Sequence, residues 1–356
     1  MHITELHPEL WQRLQERRGQ LPHALLFTGR RGIGKLALAE TWIASLLCEQ
    51  PQSNGLACGH CLACNWLGQG NHPDFRRLQP DALNDADDGK DDKSDKSADD
   101  GAPKKGGQQI TIEQVRALDD FLHVGTHRQG LRIVLVHPAE AMNRNTANAV
   151  LKTLEEPPPD SLFILVTGAA DQLLPTIRSR CQRVDVPLPA PVQAEAWLAA
   201  NGVNDPARWL SLTGGAPLQA QAESGDTDLL QAVLRALSQA SQAPLAAATA
   251  LEKTCKTAAV DQAGVPPLQR LVEWVQKWHH DLLLAAYHQP ARYFRQEQKQ
   301  LDQLARSSDL RQLLGFGKTL LGYRTQSRTT VNVRLFLEGL LQSYAQQFPQ
   351  PGAAHG

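Results

Sequence analysis

Three runs in the first half of the chain are almost continuously apolar: residues 24–27, 132–136 and 162–167. Runs of this length without alternation read as strands buried on both faces of a parallel sheet. Residues 74–78 and 183–186 are predicted as two further short strands. Helical patterns fall between them. Residues 7–18 carry Leu10, Trp11 and Leu14 on one face, and a helix is expected from Leu36 to about Cys48. Thr111 and Gln114 have the spacing of a capping box, which opens a helix through Val115, Leu118 and Leu122. Residues 145–155 form another helix, stopped by Pro157, Pro158 and Pro159. Strands alternating with helices predict a doubly wound α/β domain ending near Pro187. Beyond Pro189 strand signals vanish. Residues 193–200 and 207–212 read as helices of a small second domain, and amphipathic helices dominate from about 228 to 347. Two apolar stripes stand out there, Leu268, Leu271, Val272 and Val275, then Val333, Phe336, Leu337 and Leu340.

Length and composition change this picture in four places. At 356 residues the chain exceeds one ordinary core, so two or three domains are expected. A formal net charge of −1 gives no global basic field and argues against a free-standing DNA binder. Residues 81–107 are Asp, Lys, Ser and Gly with few apolar side chains, and are expected to be a disordered insert. No export signal and no run long enough to span a bilayer is seen, so a cytoplasmic protein with no membrane partner is expected.

The chemistry begins at Gly29-Arg30-Arg31-Gly32-Ile33-Gly34-Lys35-Leu36, which lies between the first strand and its helix. The spacing fits the phosphate-binding loop G-x-x-x-x-G-K, whose backbone N–H groups and helix N-terminus cradle phosphate while the lysine reaches the outer oxygens. The next residue should carry a hydroxyl for Mg²⁺, but it is Leu36. The strand at 132–136 should end in a metal-binding carboxylate with a glutamate beside it. It ends instead in His137 and Pro138, with Glu140 read as a surface residue of the next turn. Three losses in one constellation argue against hydrolysis. Gly29, Gly32, Gly34 and Lys35 form a degenerate nucleotide site, which either holds ATP weakly or is kept for packing.

Cys48, Cys58, Cys61 and Cys64 form the second constellation. Four thiolates at this spacing suit a structural Zn²⁺ with no open coordination position. His60 and His72 are possible replacements for one thiolate.

Residues 148–158 (Asn-Ala-Val-Leu-Lys-Thr-Leu-Glu-Glu-Pro-Pro) and 176–181 (Thr-Ile-Arg-Ser-Arg-Cys) resemble segments shared by clamp-loader subunits of the AAA+ family. The resemblance is strongest over residues 20–187. It implies an AAA+ domain at 1–187 with a zinc module at 48–64, a small helical lid at 188–226 and an all-α collar at 227–356. It also implies a place in a hetero-pentameric ring with ATPase subunits of the tau/gamma kind and a delta subunit, within a DNA-directed DNA polymerase holoenzyme. That ring acts on a sliding clamp and on primer-template DNA. The Ser-Arg-Cys motif implies that Arg180 is an arginine finger for ATP held by a neighbour; Arg178 is either a second contact or plain surface. Thr167 stands where the family senses the γ-phosphate, and is read as structural. Leu218 stands where active members carry a nucleotide-sensing arginine. The resulting expectation is a stator subunit that does not hydrolyse ATP. An active P-loop ATPase and a zinc-dependent nucleic-acid-binding module are the alternatives.

Overall fold

The computed structural model describes residues 2–83, 107–123, 130–261 and 264–348, with the side chains of 119 and 123 excepted. Of the insert expected at 81–107, residues 84–106 lie outside the described residues. Its two ends meet, Ala82 N–H donating to the Gly107 carbonyl at 3.2 Å.

The described residues divide into two compact units, His2–Leu188 and one that begins at Pro189. The first is built on five parallel strands: β1 (Ala24–Thr28), β2 (Phe75–Leu78), β3 (Arg132–Val136), β4 (Ser161–Val166) and β5 (Gln182–Asp185). Their order in the sheet is β2-β3-β4-β1-β5. Every residue of β1, β3 and β4 is buried, which is why these three read as continuous apolar runs. The edge strands β2 and β5 bury far less, and their sequences are correspondingly polar. One layer of the core joins Leu26, Val134, Phe163 and Leu165 of the sheet to Val115, Leu118 and Val150 of the flanking helices.

Local chemistry sets the helix ends. The capping box closes as expected, Thr111 N–H on Gln114 Oε1 at 2.9 Å and Gln114 N–H on Thr111 Oγ1 at 3.4 Å. Asn143 caps the helix Arg144–Glu155 through a bond from Thr146 N–H. The first helix is shorter than the expected 7–18. It runs Pro8–Glu16 and tightens into a 3-10 turn over Arg17–Gly19.

Among its described residues the second unit is helical throughout. Its longest helix, Pro267–Ala286, buries Leu268, Leu271, Val272 and Val275 as the stripe predicts, together with Trp274 and Trp278. In the last helix, Val333–Ala345, Phe336, Leu337 and Leu340 are buried and Val333 is half-buried. Asp281 is fully buried, and it accepts three backbone N–H bonds, from Arg292, Tyr293 and Phe294, at 2.7–3.0 Å. That fixes the chain leaving the long helix.

His279 is buried against Phe316, and neither ring nitrogen has a hydrogen-bond partner among the described residues. Gly317 makes room for it, since a Cβ there would come within 3.2 Å of its Nε2. Burial, helped by the neighbouring His280, lowers its pKa to about 4. An unfolded histidine takes up its proton near pH 6.5, so stability is lost as pH falls below 6.5, and the loss is complete below about 4. The full loss is roughly 3 kcal/mol. His279→Leu should therefore flatten the fall in denaturation midpoint between pH 7 and pH 4.5. An unchanged slope would exclude His279 as the source.

Candidate functional site: a phosphate-loop scaffold, a thiolate cluster and a paired arginine

The carboxyl ends of β1, β3 and β4 converge where the strand order reverses, the usual ligand crevice of an open α/β sheet. The loop after β1 has the backbone its glycines require. Gly29, Gly32 and Gly34 have φ of 147°, 75° and 95°, and Gly34 caps the helix Lys35–Leu47 in a left-handed conformation. A Cβ on Gly29 would sit 2.6 Å from the Val186 carbonyl oxygen and 2.8 Å from Ile33 Cδ1. Ile33 is fully buried, and its carbonyl accepts a 2.7 Å bond from His7 Nε2. The loop is thus anchored from below by the N-terminal segment.

Lys35 is turned inward. Its side chain is buried, and Nζ donates to the Arg30 carbonyl of its own loop at 2.6 Å. Burial lowers its pKa to about 8; Glu140 opposes that shift and Arg31 adds to it. Leu36 follows as the first turn of the helix and offers no hydroxyl. At the end of β3, His137 N–H continues the ladder to the Leu78 carbonyl at 3.0 Å. Burial takes its imidazole to about 4, with Glu140 opposing and Arg77, Lys35 and Arg31 contributing. A neutral ring therefore stands at neutral pH where a metal-binding carboxylate would be needed.

Glu140 departs from expectation. It is half-buried, not a surface residue of the turn. Its Oε1 accepts from Gly168 N–H at 3.1 Å, just past β4, and its Oε2 is buried with no hydrogen-bond partner among the described residues. The chain after His137 folds back in a 3-10 turn, Ala139–Ala141, which brings this carboxylate near the Lys35 ammonium and the neutral His137 ring. Thr167 directly follows β4. It is buried, and its Oγ1 accepts the Ala169 N–H at 3.0 Å.

The four cysteines come together. Their sulfurs all lie within 4.8 Å of one another, with the Cys48–Cys61 and Cys58–Cys64 pairs at 3.9 Å. A tetrahedron with metal–sulfur bonds of about 2.3 Å has edges of about 3.8 Å, so the set fits a single tetrahedral ion. Backbone amides also point at sulfur: Cys58 N–H at Cys48, Cys61 N–H at Cys58 and Cys64 N–H at Cys61, at 3.2–3.4 Å. These donors favour thiolates. Without a cation the thiols cannot all ionise together. Against burial, amide bonds from Cys64 and Glu49 hold Cys61 down to about 6. Burial and the neighbouring thiols push Cys64 up to about 12. His60 Nδ1 contacts the Cys58 carbonyl and His72 Nδ1 accepts from Asp74 N–H, so neither joins the cluster. Trp11 Nε1 on the Asn54 carbonyl and Arg18 on Ser45 Oγ bind the thiolate loop and its preceding helix to the N-terminal segment.

Arg180 ends the short helix Pro175–Arg180, where buried Ile177 and Cys181 hold the backbone and His23 Nε2 reaches the Arg180 carbonyl at 3.1 Å. The guanidinium is about one-third exposed. It pairs with Glu155 Oε1 at 2.6 Å and donates to the Thr176 carbonyl at 3.2 Å.

The sequence falls into a known group. A family model described as "DNA polymerase III, delta subunit" matches residues 6–189. DNA polymerase III subunit delta' of Pseudomonas aeruginosa is 33% identical, in an alignment covering 98% of this chain and 100% of that protein. The chain belongs to the DNA polymerase III delta-prime family of AAA+ clamp-loader subunits. The Escherichia coli member is 35% identical over 51% of this chain and 47% of its own length. DNA polymerase III subunit tau of Salmonella typhimurium is 30% identical over 46% of this chain and 21% of that protein. The stretch matched by the family model contains the phosphate-type loop, the four cysteines and Arg180. It also contains His7, which sequence reasoning missed, and Glu140, which it placed on the surface. His7 gave no signal beyond its place before a helix. Glu140 is visible from its spacing to the end of β3, but its burial is not.

Proposed function

We propose that the chain is a non-hydrolysing stator of the DNA polymerase III clamp loader. It completes a hetero-pentameric ring with the tau/gamma ATPase subunits and a delta subunit. It offers Arg180 to ATP held by the neighbouring subunit, and so helps load the sliding clamp on primed DNA. In this reading the helices at 188–226 are the lid and those at 227–356 the collar. The thiolate cluster holds a structural Zn²⁺, whose part is to pin the loop beside the phosphate-type helix.

The observation that carries the reading is the state of the loop. Lys35 is bonded to its own Arg30 carbonyl, and Leu36, His137 and Pro138 occupy the three positions that hydrolysis needs. An intact scaffold with that chemistry replaced suits a subunit that completes another's site. ATP turnover should be silent for this protein alone. It should rise when the protein is added to the ATPase subunits with delta, clamp and primed DNA. Turnover by the isolated chain, lost on Lys35→Ala, would overturn the reading in favour of an active ATPase. Tight, steeply salt-dependent DNA binding by the isolated chain would favour a nucleic-acid module instead.

A further inference from the structure

We infer that Glu155 is a latch for Arg180: it holds the guanidinium in place within this chain while the neighbour's site is empty, and yields it to the triphosphate. The inference rests on the finger reading of Arg180 and adds to it a second residue of this chain and a resting state.

Glu155 is the last residue of the helix Arg144–Glu155, and Arg180 is the last of Pro175–Arg180. The two helix ends are brought together by the fold, and the carboxylate meets the guanidinium at 2.6 Å. A carboxylate offers the same kind of acceptor as phosphate oxygens, and guanidinium forks pair with either. Glu155 therefore stands in for the anion that Arg180 would meet in the assembled ring. The remaining contact, Arg180 to the Thr176 carbonyl, orients the fork without neutralising it. The pair is also open to release. The side chains are 35% and 44% exposed, so water and salt screen the attraction. An exposed pair of this kind is worth up to about 1 kcal/mol, a factor of about five in an equilibrium constant. A triphosphate with Mg²⁺ in a drier interface competes easily against that. A buried pair would not release on such terms. The backbone of Arg180 stays fixed by His23, Ile177 and Cys181 while its side chain changes partner.

The test uses the assembled complex with primed DNA. Glu155→Gln keeps shape and removes the charge. It is expected to lower the KM for ATP by two- to five-fold with kcat within two-fold of the parent. That gain should vanish when Arg180→Ala is also present, because the latch acts only through the arginine. If Arg180→Ala by itself changes neither kcat nor KM, the finger reading fails, and the latch with it. If Arg180→Ala slows turnover but Glu155→Gln leaves KM unchanged or raises it, the finger stands and the latch is overturned. Assembly of each variant, followed by size-exclusion chromatography, separates these outcomes from failure to fold. A failure of Glu155→Gln to assemble would itself count against the latch, since a releasable pair cannot be needed for folding.

Discussion

Arg180→Ala is expected to leave the ring assembled and to slow ATP turnover at the neighbouring site by about 10³-fold or more, with clamp loading falling in step. The magnitude is that of an arginine supplied in trans to phosphoryl transfer, where a fixed positive charge meets the charge developing on the phosphoryl oxygens. Stability should change little. The side chain is partly exposed, and its ion pair with Glu155 is of the solvent-screened kind worth less than about 1 kcal/mol. Lysine should not rescue, because it presents a point charge where a planar fork is needed. The check is single-turnover hydrolysis in rings where only the site facing this subunit is competent. A rate within three-fold of the parent would remove Arg180 from the chemistry.

Cys58→Ser is expected to have the second large effect, this time on stability. A closed four-thiolate site couples metal binding to folding, and the metal supplies about 10–16 kcal/mol in small zinc domains. Losing one ligand should release the ion and cost more than about 4 kcal/mol, so that the thermal midpoint of the first unit drops by on the order of 10 °C. The helix Leu62–Gly68 and the loop before it should melt first, since Cys48, Cys61 and Ala63 are the buried centre of that small cluster. Metal analysis should give one zinc per chain in the parent and none in the variant. Cys181→Ser, a buried cysteine outside the cluster, should keep its zinc. A parent without zinc whose melting is indifferent to chelator would sink the assignment.

The two predictions rest on features of very different legibility. The cysteines announced themselves, because ligand number and spacing are local properties of the chain. The central strands did so too, since β1, β3 and β4 are buried on both faces and carry polar side chains only at their ends, Thr28, Arg132 and Ser161. The glycines of the loop likewise carry their conformations in their identity. What could not be read is pairing across the fold. Glu140 reaches Gly168, and Glu155 reaches Arg180, through the packing of separate helices and turns, and periodicity says nothing about which side chains meet there. The six-residue helix that presents Arg180 is also too short to show a repeat. The burial of Lys35 on its own loop belongs to the same class, because an intact motif says where a lysine is but not what it touches.

The end of β3 carries a consequence for descent. On the stator reading, a mutation of Leu36 to threonine would restore a hydroxyl with no metal to bind. A carboxylate at 137 by itself would place a second anion near Glu140, whose Oε2 already lacks a hydrogen-bond partner among the described residues. A glutamate at 138 alone would have no water to activate. Each step back toward hydrolysis is thus without benefit until the others are present, so selection cannot climb it one substitution at a time. On the same reading, a lineage that has crossed this point is held there by history as well as by its role, and its usefulness to the ring passes to the residues it lends to others.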